Sequence, residues 1–130
     1  MLGYTFNEDG LGHAIAKVKV YNPKDESLNV ELELLVDTGS TYTWIKRERL
    51  MKVGVKSMGR RAFRSIDDRV VERDLGEAVV ECLSRRATSV VVFANEGDNE
   101  VLGVHALEGL GLEVDPATRQ LRESEAILAL

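Results

Sequence analysis

Between Leu28 and Val36 every second residue is apolar: Leu28, Val30, Leu32, Leu34 and Val36 alternate with Asn29, Glu31 and Glu33, with Leu35 beside the end. A period of two is the signature of a β-strand with one face on a core and one in water. The pattern stops abruptly at Asp37, and Thr38-Gly39-Ser40-Thr41 follows as a tight loop. A buried strand therefore delivers a carboxylate at its end. Ionised Asp is costly to hold against an apolar strand end, so one fixed there is expected to have a task.

The rest of the chain is organised to match. Ala14, Ala16, Val18 and Val20 share one face of an earlier strand, with Lys17, Lys19 and Tyr21 on the other, and Asn22-Pro23-Lys24-Asp25 forms the turn between the two strands. Beyond the loop, 42–45 is expected to be extended, and Arg47 to Lys52 a short helix stopped at Gly54. Segments 63–66 and 69–72 bracket Asp67-Asp68 and predict a hairpin with a polar tip. Strands are expected at 77–83 and 88–93, joined by a turn at Ser84-Arg85-Arg86-Ala87. Residues 95–100 form a charged loop, 105–110 a short helix ended by Gly111, and Asp115-Pro116 a last turn. The fold class is mainly β, without tandem repeats or low-complexity segments.

At 130 residues and 44% hydrophobic content the chain suits one domain, residues 1–130. Its 17 basic and 22 acidic residues are mixed along the chain and leave a net charge of -5, which gives no reason to expect a nucleic acid partner. With neither a long apolar run nor a basic-then-apolar leader, no membrane partner or secretory route is expected, and the location expected is cytoplasmic. Cys82 is single and sits in an alternating run, which predicts a small buried side chain. His13 and His105 lack partners at metal-ligand spacing, so neither a metal nor another cofactor is expected. Gly109-Leu110-Gly111 reads as a helix stop, and Lys56, Arg60, Arg61 and Arg64 as a solvated basic face. Tyr42 and Trp44 either line a pocket or pack into the core. Asp67, Asp68 and Asp74 are candidates for a second carboxylate within the chain, but no buried strand precedes any of them as one precedes Asp37.

Around Asp37, glycine permits a turn that brings backbone amides to the carboxylate, and the Thr38 and Ser40 hydroxyls can donate hydrogen bonds around it. The apolar-apolar-Asp-Thr-Gly-Ser unit at 35–40, the later Val101-Leu102-Gly103 followed by a short helix, and the hairpin between them resemble the retropepsin-like aspartic proteases. The resemblance spans residues 14–114. It implies a single-domain acid-protease fold with one short helix in the C-terminal half, Asp37 as catalytic residue, and Thr38, Gly39 and Ser40 as supports of its loop. It further implies that Val101, Leu102 and Gly103 pack behind the loop, and that the hairpin bearing Phe63, Ile66, Asp67, Asp68 and Arg69 is a flap. Its tip lacks the glycines of retroviral flaps; Phe63 and Ile66 either close over a peptide or pack within the hairpin.

Peptide hydrolysis by this route uses two carboxyls sharing one proton, and this chain carries one Asp-Thr-Gly. The resemblance thus implies a two-fold homodimer pairing Asp37 with its mate, an aspartic endopeptidase acting at acid pH on an extended peptide or unfolded protein. Thr38 would hydrogen-bond across the dimer axis, and a Ser40 hydroxyl bonded to the carboxylate would extend activity toward acid. The apolar tail 126–130 is either an interface strand or a loose end. The alternative is a non-catalytic dimeric peptide-binding module that retains the fold.

Overall fold

The computed structural model describes residues 4–6, 14–65 and 67–125. Strand β1 (Tyr4–Phe6) is followed by β2 (Ala14–Asn22), β3 (Asp25–Val36), β4 (Thr43–Lys46) and helix α1 (Arg47–Lys52). Then come β5 (Gly59–Arg64), β6 (Val70–Cys82), β7 (Arg85–Ala94), β8 (Val101–Leu102), helix α2 (Val104–Leu110), β9 (Leu112–Val114) and β10 (Leu121–Glu123).

The register of β2 on β3 follows from the side chains. Val18 faces Leu32, Ala16 faces Leu34 and Val20 faces Val30, while Lys17 faces Glu33 and Lys19 faces Glu31. Apolar pairs meet on one face and opposite charges on the other, so a one-residue slip would lose both. The strands order as β1-β2-β3-β8-β4-β7-β6-β5, and a further pairing of β2 with β6, including Val20 opposite Val80, closes six of them into a ring. The core holds the fully buried Ala16, Val20, Leu34, Ile45, Leu50, Val80, Val91 and Leu102. Each larger aliphatic side chain removed from water in this way contributes about 1.5–3 kcal/mol. Helix α2 adds Ala106, Leu107 and Leu110 from one face and ends at Gly111, whose φ of 69° is left-handed, as a helix stop requires.

Three details differ from the sequence reading. Leu28 is 40% exposed, because β3 before Val30 runs out beyond the core. The segments expected as two strands, 69–72 and 77–83, belong to one strand, β6, whose charged middle is satisfied by partners: Arg73 by Asp98, Asp74 by Arg47 and Arg60. The turn after it is Leu83-Ser84, with φ of 53° and 65°, so Arg85 and Arg86 already pair in β7. Two consecutive left-handed residues make the tight hairpin that matches strand twist, but Leu-Ser lacks the Asn-Gly signature that advertises it. Cys82 is buried, and burial pushes its thiol up to about 11. Among the described residues no helix is long and apolar enough to cross a membrane. His13, Ile66 and the tail 126–130 lie outside the described residues.

Candidate active site

Strand β8 sits between β3 and β4, parallel to the first and antiparallel to the second, with Leu35 opposite Val101, Val36 opposite Leu102 and Trp44 opposite Val101. The chain leaving β3 must therefore pass over the end of β8 to reach β4. Residues 37–42 make that crossing, and Gly103, which follows β8, lies directly beneath. A Cβ there would stand 2.3 Å from the Tyr42 carbonyl oxygen and 2.8 Å from that of Ser40. The crossing is closed by hydrogen bonds. Asp37 N–H donates to Leu102 O (3.0 Å), Val104 N–H to Ser40 O (2.8 Å) and His105 N–H to Thr41 O (3.1 Å). The Gly103 N–H donates to Oγ1 of the fully buried Thr43 at 3.0 Å. Two N–H groups that the first turn of α2 cannot satisfy internally are thus used to hold the loop.

Within the loop, Ser40 N–H donates to Asp37 O at 3.1 Å, and the Gly39 N–H donates to Oδ1 of Asp37 at 2.9 Å. This fixes the carboxyl relative to its own backbone, as Asx turns do. The side chain of Asp37 remains half-buried, with Thr38 and Gly39 exposed beside it. A carboxylate in that setting is anchored by backbone yet open to a reactant. The Ser40 hydroxyl donates to Tyr42 O at 2.7 Å. It braces the crossing and is not spent on the carboxylate, contrary to the sequence reading. Among the described residues, no group of three or more His, Cys, Asp or Glu side chains could hold a metal ion.

The β5–β6 hairpin arches beside this loop, with Arg64 opposite Val70 and the turn between them containing Asp67, Asp68 and Arg69. Arg69 pairs with Asp67 and Arg64 with Asp68, at 2.9 and 2.8 Å. Phe63 meets Trp44 edge-on at 5.0 Å and Tyr42 at 6.1 Å, and Tyr42 also meets His105 at 5.6 Å. Tyr42 and Trp44 are half-buried and link the crossing to the hairpin. The base of the hairpin is tied down by Asp74. Its carboxyl accepts from Arg47 at 2.7 Å and from Ser57 at 3.2 Å and pairs with Arg60 at 3.4 Å; the Arg47 hydrogen bond is the main cause holding it below its ordinary value.

Sequence reasoning did not single out Thr43 or the contact of Tyr42 with the hairpin, and it read Arg61 only as part of a solvated basic face. For Arg61 the signal was present: alternation along β5 places it on the face of Phe63.

This fold, a ring of strands in which the 37–42 loop crosses over Gly103 just beyond β8, is similar to that of a retropepsin-like aspartic protease. The crystal structure of a retropepsin-like aspartic protease from Rickettsia conorii has the same fold, with a TM-score of 0.56 and 20% sequence identity over 91% of this chain and 84% of that one. No family model matches the sequence, and no curated protein matches it.

Proposed function

We propose that residues 1–130 form one aspartic endopeptidase domain that works as a homodimer, with Asp37 of each subunit supplying one of the two catalytic carboxyls. The observation that carries this reading is the setting of Asp37: a backbone-anchored carboxylate on a crossing loop, half open to solvent, with Thr38 and Gly39 exposed beside it. One such carboxyl per chain is half of what hydrolysis needs. In the dimer, one carboxylate takes a proton from the attacking water while the protonated mate donates a hydrogen bond to the peptide carbonyl oxygen. Because two like charges at about 3 Å resist joint ionisation, the pair holds a single proton over the working range, which favours acid pH. The β5–β6 hairpin is the flap on this reading, with Phe63, Asp67, Asp68 and Arg69 over an extended peptide.

The test is cleavage of an unfolded protein from about pH 2 to pH 7 by the wild-type chain, beside Asp37→Ala and beside a pepstatin-type inhibitor. Acid cleavage abolished by the substitution is expected. A folded dimer that cuts nothing but still binds peptide would replace this reading with that of a binding module.

A further inference from the structure

The β5–β6 register puts Arg61 opposite Arg73 and Phe63 opposite Val71. Directly opposed residues share a face of the sheet, and the contacts of Phe63 with Tyr42 and Trp44 make this the face turned toward the Asp37 loop. Two cations opposite one another destabilise a strand pair unless each finds an anion. Arg73 has one: its guanidinium meets Asp98 at 2.7 and 3.0 Å. Arg61 is exposed, its charge lies over the Tyr42 ring at 5.5 Å from the centroid, and it donates to the Tyr42 hydroxyl. Among the described residues no carboxylate pairs with it. Arg60, its neighbour, is already taken by Asp74 at 3.4 Å and Glu72 at 3.9 Å.

Arg61 lines a cavity of about 320 Å³ together with Tyr42, Met58, Gly59, Arg60, Leu75 and Val90. Apolar Met58, Leu75 and Val90 in one cavity with Arg61, a guanidinium without a carboxylate partner among the described residues, suit a side chain with methylenes and a terminal carboxylate. One N–H of the Arg61 guanidinium goes to the Tyr42 hydroxyl, and its other N–H groups, without a partner among the described residues, remain to meet a carboxylate. Tyr42, which lines the cavity, belongs to the same crossing loop as Asp37. We propose that this cavity is a substrate subsite selecting an acidic side chain, glutamate above all, with Arg61 as its specificity-determining residue. The proposal rests on the proteolytic reading of Asp37.

The test is a set of otherwise identical peptides carrying Glu, Gln, Leu or Lys at each position in turn. It is read at about pH 6, where a glutamate side chain is ionised, as kcat/KM with the wild-type chain and as binding anisotropy with Asp37→Asn. At one position Glu is expected to exceed Gln by about tenfold, the yield of one charge-assisted hydrogen bond. Arg61→Met should bring that ratio to about one, Arg61→Lys should keep part of it, and Arg61→Glu should turn the preference toward Lys. Selective binding without cleavage supports the subsite and overturns the protease. A Glu-to-Gln ratio near one in the wild type, or one unaltered by Arg61→Met, overturns the subsite.

Discussion

Replacing Gly103 by alanine should be among the most damaging single-methyl additions this chain can receive. The backbone at Gly103 (φ -93°, ψ 177°) is open to any residue, so the penalty is purely steric. The added Cβ would lie 2.3 Å from the oxygen and 2.5 Å from the carbon of the Tyr42 carbonyl, and 2.8 Å from Ser40 O. These are backbone atoms, and moving them stretches the Val104–Ser40 hydrogen bond and the Gly103–Thr43 bond. Overpacking of this kind costs about 1–3 kcal/mol, and two weakened hydrogen bonds add about 1 kcal/mol each, for about 3–5 kcal/mol in total. Against a domain stability of about 5–15 kcal/mol, that should lower Tm by about 10–20 °C. Gly97→Ala is the control: nothing lies within 4 Å of its would-be Cβ, and the φ of 94° leaves only backbone strain of about 1–2 kcal/mol. Thermal unfolding followed by circular dichroism, with urea titration alongside, measures both. A Gly103→Ala melt within about 2 °C of wild type would refute the crossing as described.

Three further outcomes are expected. The hydrogen bonds from Arg73 hold the Asp98 carboxyl below its ordinary value. Its contribution is therefore present above the unfolded carboxylate pKa of about 4 and lost as pH falls through the lower folded one. Asp98→Asn should cost about 1–3 kcal/mol at pH 6 and progressively less below about pH 4, read from urea midpoints across that range. Because the Ser40 hydroxyl is bonded to Tyr42 O, Ser40→Ala should cost about 1 kcal/mol of stability while leaving the acidic limb of the pH–rate profile in place; a displaced limb would show that the hydroxyl reaches the carboxylate after all. The Cys82 thiol, buried and pushed up to about 11, should resist a disulfide reagent at pH 8 until the chain is unfolded in urea. Rapid labelling of the folded protein would place the thiol outside the core.

What the sequence disclosed was what depends on local period. The alternation 28–36 ending at Asp37, the hairpin around Asp67-Asp68 and the α2 stop at Gly111 are each encoded within a few residues. The ring is non-local: no pattern within β2 announces that Val20 will meet Val80. Continuity of β6 was hidden because Arg73 and Asp74 break the apolar alternation, and their partners, Asp98 and Arg47, are distant in sequence. Leu28 misled for the opposite reason, since its alternation continues past the point where the core ends. At the site, the sequence singled out Asp37, and Gly103 through the family resemblance. The role of Thr43 depends on its hydroxyl meeting a backbone amide sixty residues on, which strand propensity cannot reveal.

The central claim, that two chains each contribute one carboxyl to a shared site, is tested most directly by mixing subunits. Wild-type chain and Asp37→Ala, unfolded together in equal amounts and refolded, would assort at random, and only dimers with two wild-type subunits would hold both carboxyls. Total peptide cleavage should then fall to about one quarter of that of an all-wild-type sample at the same total concentration. A value of about one half would mean that each chain works alone, and would contradict the paired-carboxylate account.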